Sequence, residues 1–75
     1  MPSTQEQQQV RNKMRARLME KGMTVESWSR TQGYGEGVAA KIVIRHVGKK
    51  ERPRGAVATR IIEGLEAATG LRLCG

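Results

Sequence analysis

The sequence predicts an all-α fold, a compact bundle of four or five short helices, and three observations support this prediction. Apolar residues recur at helical spacing along most of the 75-residue chain, and a glycine follows each of these periodic stretches. The aromatic side chains are Trp28 and Tyr34 alone, so the core has to be assembled from aliphatic residues and methionine. A chain of this length can exclude only about 60% of its extended-chain surface from water, which suits a single domain over residues 1–75.

The first helix is predicted to begin at "STQE", where the frayed tail of residues 1–4 ends. Ser3 and Glu6 have the spacing of a capping box, in which two side chains bind the free N–H groups of a helix start. Gly22 is expected to end this helix in the left-handed conformation, which a residue without a Cβ adopts easily. The apolar residues between these signals recur every fourth position and line one face, at Val10, Met14 and Leu18.

The second helix is predicted to be short. The hydroxyl of Thr24 can cap its first turn, and Glu26 in that turn is favoured by the positive end of the helix dipole. Val25 and Trp28 lie one turn apart and supply its apolar face. Gly33 is expected to end the helix after about two turns.

The third helix is expected to begin close to Gly35 and to run toward Val47, although the local preferences are divided. Gly35 and Gly37 each weaken a helix start by roughly 1 kcal/mol relative to alanine. The stretch "KIVIRHV" has the β-branched composition of a strand, so a strand over residues 41–47 is the alternative. Helix is favoured because the apolar residues follow helical spacing, at Val38, Ala39, Ile42 and Val43.

Residues 48–54, "GKKERPR", combine glycine, proline and charge, and they predict an exposed basic loop. A last helix should follow and end at Gly70. Leu71 and Leu73 come after it and are expected to fold back over the core. The apolar stripe of this helix consists of Val57, Ala58, Ile61, Ile62, Leu65 and Ala68.

The charge balance predicts a polyanionic partner. Fourteen Lys and Arg against seven Asp and Glu give a net charge of +7 and a pI near 10.6. No apolar run approaches the ~18 residues of a membrane-spanning helix, and the polar start lacks the apolar core of a signal peptide, so a cytoplasmic protein of a bacterial host cell is expected. Cys74 is the sole cysteine, which excludes an internal disulfide and a cysteine cluster for zinc. No metal or cofactor is therefore expected.

A turn at Gly33 joins the second and third predicted helices. Two short helices joined by a glycine-containing turn are what a helix-turn-helix requires, with the second helix entering the DNA major groove. Ser29, four residues before the glycine, supplies the small side chain needed where the two helices cross. Trp28 should face the core, and Tyr34 should tuck its ring under the turn.

At this turn the sequence resembles the phage repressor, Cro-like and Ner-like helix-turn-helix DNA-binding proteins. The resemblance rests on "KGMTVESWSRTQGYG", which is similar to that family's pattern of a capping Thr or Ser, an aromatic residue or Leu, a small residue, and Gly before Tyr or Phe. The closing "LEAATGL" adds to it, and the similarity covers about residues 10–73. It implies a bundle of four or five helices that acts as a small transcriptional regulator, often as a pair on two-fold operator sites.

The resemblance also implies which residues would face the groove. Lys41 could donate to guanine, Glu36 could accept from cytosine, and Ala40 or Ile44 could touch a thymine methyl. Glu36 is equally well explained as a charge that stabilises a helix start. Base contacts would be sparse, because the predicted base-reading set is Gly35, Glu36, Gly37, Ala40, Lys41 and Ile44.

Most of the affinity is expected from contacts with the phosphate backbone, made by a mobile basic strip that follows the third helix. The backbone amide of Gly55 could add a fixed phosphate contact at the start of the last helix. A solvated loop with no partner is the alternative interpretation. The predicted phosphate-binding residues are Arg30, Arg45, His46, Lys49, Lys50, Arg52, Arg54 and Gly55.

The function expected from the sequence is that of a phage or prophage repressor that occupies an operator on double-stranded DNA, with a homodimer on a two-fold site as one arrangement. The main alternative is a small phage-type interaction factor that binds an acidic protein. A second alternative keeps nucleic acid but makes "KIVIRHV" a strand, in an RNA binder or a winged variant. An enzyme is not expected, because the single histidine, His46, lies in a basic stretch with no Asp near it in the sequence to form a catalytic pair.

Overall fold

The computed structural model describes residues 4–75, and four α-helices account for most of them. They are α1 (Thr4–Glu20), α2 (Val25–Thr31), α3 (Val38–His46) and α4 (Ala56–Thr69), and no strand occurs within residues 4–75. The all-α prediction is therefore confirmed, with four helices. Helix α4 packs against both α1 and α3, and α2 packs against α3.

Helix α1 presents the predicted apolar face to the core. Met14 and Leu18 are fully buried, and Val10 packs partly buried beside them. Gly22 has a φ of 73°, and its N–H donates to the Met19 carbonyl at 2.9 Å, so the chain leaves the helix as expected. The predicted tail, residues 1–4, was too long by one residue, because Thr4 already belongs to α1. Ser3, the predicted capping residue, lies with the rest of residues 1–3 outside the part of the chain that the structure describes.

Helix α2 begins with a reciprocal cap. The Ser27 N–H donates to the Thr24 hydroxyl at 3.1 Å, and the Thr24 N–H donates to the Ser27 hydroxyl at 2.9 Å. The capping role of Thr24 is thus confirmed, and Glu26 lies in the first turn as predicted. Ser27 takes the position that glutamate or glutamine usually holds in a capping box, which is why the sequence pattern did not reveal it.

Residues 41–46 belong to α3 and no strand occurs within residues 4–75, so the helix interpretation is confirmed, with Val47 as the extended C-cap. The helix begins later than expected. The helix starts at Val38, because Gly37 before it has a φ of 76°, in the left-handed region that a helix residue cannot occupy. The expectation of a start close to Gly35 was therefore wrong. Residues 32–37 form a connection longer than the usual three- or four-residue turn of a helix-turn-helix.

Helix α4 supplies the centre of the core through Ile61, Ile62 and Leu65, all fully buried. It ends at Gly70, which has a φ of 72°, as predicted. Val57 departs from the prediction: it lies in the first turn of α4 and is 54% exposed. After the helix, Leu73 folds back and is 1% exposed, and the Cys74 thiol beside it is also buried, which raises its pKa.

Two close contacts join α4 to other parts of the bundle, one to α2 and one to the end of α1. Gly64 of α4 lies under the Trp28 ring so closely that a Cβ at this position would come within 2.7 Å of the ring atom Cζ2. The ammonium group of Lys21, just after α1, donates to the Ala68 carbonyl near the end of α4. The missing side chain of Gly64 therefore makes room for Trp28, the largest residue of the core.

Candidate nucleic-acid interface

The turn between α2 and α3 is held by backbone hydrogen bonds and by an aromatic pair. Gly33 has a φ of 84°, and its N–H donates to the Arg30 carbonyl at 3.0 Å. The Tyr34 N–H donates to the Ser29 carbonyl, also at 3.0 Å. The rings of Trp28 and Tyr34 are 6.2 Å apart between centroids and tilted by 31°, within the range of favourable aromatic pairs. Tyr34 thus packs beside Trp28 against the core.

Ser29 is 4% exposed, and no hydrogen-bonding group within residues 4–75 reaches its hydroxyl. We expect Ser29→Leu to lower the free energy of unfolding by about 1 to 3 kcal/mol, because the added carbons must fit a packed helix crossing. Ser29→Ala is the control, and it should raise stability by up to about 1 kcal/mol, since it removes a buried hydroxyl that has no partner. Urea denaturation measures both. Equal stability of the two variants would show that the crossing tolerates a large side chain.

The outward face of α3 carries Lys41, Ile44 and Arg45, which are exposed, whereas Ala39 and Val43 face the core. Ala40 is half-buried beside Ile44. The predicted base-reading residues that belong to α3 are therefore Ala40, Lys41 and Ile44.

The other three predicted base-reading residues precede α3. Gly35, Glu36 and Gly37 line a small cleft together with Arg30 and Glu26 of α2. Two carboxylates thus share this cleft with one guanidinium group. Because like charges repel, this local excess of negative charge opposes a phosphate contact at Arg30.

Five of the predicted phosphate-binding residues line one concave surface, which we call the basic cleft. Arg45 and His46 come from the end of α3, and Glu51 and Pro53 complete the lining. Lys50 and Gly55 are exposed but are not part of this lining. The predicted residues that meet in the basic cleft are Arg45, His46, Lys49, Arg52 and Arg54.

The basic loop, residues 48–54, is tied to the body of the protein rather than forming the mobile strip expected from the sequence. The Gly48 N–H donates to the Leu73 carbonyl at 2.7 Å, and the Gly75 N–H donates to the Lys49 carbonyl at 3.1 Å. The Thr59 hydroxyl of α4 donates to the Pro53 carbonyl at 3.1 Å. Both ends of the loop are therefore fixed, one against residues 71–75 and the other against α4.

Arg52 has partners within the protein. Its Nη2 donates to Glu66 Oε1 at 2.6 Å and its Nη1 donates to Glu66 Oε2 at 3.1 Å, forming a bidentate ion pair. The hydrogen bonds from Arg52 hold the pKa of the Glu66 carboxyl below its ordinary value, with a further contribution from the Leu73 N–H. The same pairing raises the pKa of Arg52. Sequence reasoning missed Glu66, because a single glutamate on a helix gives no local signal of a partner 14 residues away.

A second concave surface, the apolar cleft, opens between α1, α2 and α3. Arg15, Thr24 and Glu26 form its polar margin. Met19 is 71% exposed and Ile44 is 64% exposed, so two large apolar side chains meet solvent in the same cleft. The apolar lining consists of Met19, Met23, Val25, Ala40, Val43 and Ile44.

These features define a small basic all-α bundle that carries one cation-lined and one apolar cleft. Comparison with family models, curated proteins and solved structures found no significant match for the chain. None of the helices within residues 4–75 combines the length and apolar character needed to cross a membrane. The same residues contain no group of three or more His, Cys, Asp or Glu side chains suited to hold a metal ion.

Proposed function

We propose that this protein is a small DNA-binding regulator that lays α3 in the major groove and the basic cleft against the phosphate backbone. The observation that carries the proposal is the position of Arg45, which lies on the outward face of α3 and also lines the basic cleft. A helix entering the groove would therefore bring the cations at its end to the adjacent phosphates. The net charge of +7 favours the approach to a polyanion.

Base reading in this proposal depends on few side chains. Lys41 is exposed and can donate to the O6 and N7 acceptors of guanine, and Ile44 can contact a thymine methyl group. Gly35, Glu36 and Gly37 precede α3, so they would meet DNA only where the backbone of the turn approaches it. Sequence preference is accordingly expected to be modest, with most of the binding free energy coming from phosphates.

The finer assignment is that of a repressor of phage or prophage type that blocks transcription by occupying an operator in the bacterial cytoplasm. The resemblance of "KGMTVESWSRTQGYG" to phage repressors supports this assignment. Two copies on a two-fold operator would be the corresponding arrangement, since helix-turn-helix proteins commonly pair in this way.

Fluorescence anisotropy with random duplex DNA at increasing salt tests the proposal. We expect log K to fall linearly with log salt, because each phosphate contact releases condensed counterions and adds about 0.9 to the slope. Binding that does not respond to salt, or no binding at low salt, would overturn the DNA assignment.

Lys41→Ala should change which DNA sequence is preferred. Loss of one good base contact is worth about 1 to 3 kcal/mol of discrimination at one base pair, whereas random DNA should be bound nearly as before. Selection from random duplexes, followed by anisotropy on the selected site, measures the effect. Lys13→Ala on α1 removes the same charge from an exposed position outside the predicted interface, and it should leave the selected motif unchanged. Identical motifs for both variants would remove Lys41 from base reading.

The apolar cleft favours a second candidate function, a factor that binds a helix of an acidic partner protein. Met19 and Ile44 would contact the apolar face of such a helix, and Arg15 at the margin would pair with its carboxylates. The anisotropy experiment separates the two candidates, because this function requires no DNA binding at any salt concentration.

A further inference from the structure

We propose that Glu66 is a positioning residue for DNA binding, which holds the basic loop so that Lys49, Lys50 and Arg54 meet the phosphate backbone together. Glu66 itself carries a negative charge and does not belong to the predicted interface. The inference rests on the proposed function and adds to it a residue that acts through the loop.

The Glu66 carboxylate joins three segments of the chain. It lies on α4, it accepts two hydrogen bonds from Arg52 in the basic loop, and its Oε2 also accepts the Leu73 N–H at 3.0 Å. Arg52 Nη1 in turn donates to the Cys74 carbonyl at 2.9 Å. The side chain of Glu66 is only 19% exposed, so these bonds are partly shielded from water. Both carboxylate oxygens thus accept hydrogen bonds from other segments of the chain and hold those segments in place.

The Arg52–Glu66 pair completes an attachment that the backbone begins. Two backbone hydrogen bonds, between Gly48 and Leu73 and between Gly75 and Lys49, place the start of the basic loop beside residues 71–75. Leu73 and Cys74 are buried in the core, so residues 71–75 are held in place and can support the basic loop. The guanidinium of Arg52 attaches the middle of the loop to this same support and to α4.

This arrangement gives Arg52 a different role from its neighbours in the loop. Three of its five N–H groups already donate to the Glu66 carboxylate and the Cys74 carbonyl, so at most two remain for a phosphate, and the bound carboxylate offsets its positive charge. Lys49, Lys50 and Arg54 have exposed side chains that can reach a phosphate while the pair stays intact. A loop ordered before binding does not lose that conformational entropy on binding, which strengthens the complex.

The test compares Glu66→Gln with Glu63→Gln. Both glutamates lie on α4, and each change raises the net charge from +7 to +8. Glu63 is exposed and influences Arg52 only through its charge. From charge alone both variants should bind random duplex DNA somewhat more tightly than the original protein. If Glu66 positions the loop, Glu66→Gln should instead bind roughly tenfold more weakly than Glu63→Gln, because the freed loop must be ordered on binding.

The salt dependence distinguishes positioning from a loss of stability. Circular dichroism at the temperature of the binding assay establishes that each variant is folded. A folded Glu66→Gln protein with a displaced loop should show a shallower salt slope than the original, despite its extra positive charge, because fewer cations reach phosphates at once. If the loop of Glu66→Gln keeps its native position, the salt slope should equal that of the original protein or be steeper.

Arg52→Lys provides a second measurement and carries the test if Glu66→Gln does not fold. It keeps the net charge but loses the bidentate geometry, and we expect it to weaken binding about as much as Glu66→Gln. The inference is overturned if Glu66→Gln binds as tightly as Glu63→Gln, or if Arg52→Lys binds like the original protein. Absence of DNA binding by the original protein would overturn the proposed function and this inference with it, so the two failures are distinguishable.

Discussion

Gly48→Ala is expected to lower the free energy of unfolding by about 2 to 5 kcal/mol. Gly48 has a φ of 86°, and a Cβ on its backbone would lie 2.6 Å from the Cα of Gln7 and 3.1 Å from its Cβ. The left-handed conformation costs a residue with a side chain about 1 to 2 kcal/mol. The clash is with helix backbone, so either α1 or the basic loop must move, at a cost of about 1 to 3 kcal/mol more.

Gly33→Ala is the matched control for this variant. Gly33 has a nearly equal φ of 84°, but nothing lies within 4 Å of the position of an added Cβ. Gly33→Ala should therefore lower the free energy of unfolding only by the cost of the left-handed conformation, because it causes no clash. Chemical denaturation of both variants gives the difference, and a domain of this size has only about 4 to 11 kcal/mol of stability to lose. Equal losses would mean that α1 and the loop do not meet at Gly48.

The double variant Lys49→Ala/Lys50→Ala is expected to weaken binding to all DNA sequences by about 10- to 100-fold at low salt. Both lysines are exposed on a loop whose ends are fixed, so their charges lie close to the end of α3. Loss of two phosphate contacts should reduce the salt slope by about two units. Anisotropy with random and selected duplexes should show the same fractional loss for each.

Lys13→Ala/Arg17→Ala is the control with the same change in net charge. Both residues are exposed on α1 and lie outside the predicted interface. A general electrostatic attraction would weaken equally in the two double variants, because it depends on total charge. A local phosphate-binding surface predicts a much larger loss for the loop variant. Similar losses would argue against the basic loop as the site of contact.

Much of the fold could be predicted from the sequence because it is encoded in local patterns. The spacing of Val10, Met14 and Leu18 defined the buried face of α1, and Gly22 and Gly70 marked helix ends through their freedom to adopt positive φ. The helical spacing within "VAAKIVIRH" correctly outweighed its β-branched composition, since one face of α3 is buried. Patterns of this kind depend on residues within one or two turns of each other.

The candidate site was less predictable, because its geometry depends on segments distant in the sequence. The basic residues of positions 45–54 were identified from charge alone, and most of them line one cleft. Their positions within that cleft depend on residues 71–75 and on Glu66, which no local pattern connects to them. The start of α3 was misplaced because two glycines close together do not reveal which one adopts the left-handed conformation that delays the helix.

The sequence by itself determined that this protein is a small, strongly basic bundle of helices with a sharp turn at Gly33. Helix periodicity, caps and net charge are local or additive properties, and they can be read from the order of residues. The tertiary structure alone decided that Arg52 is bound to Glu66, that the basic loop is fixed, and that Met19 and Ile44 border an exposed apolar cleft. These features arise where side chains from separate helices meet, and packing determines which of them meet.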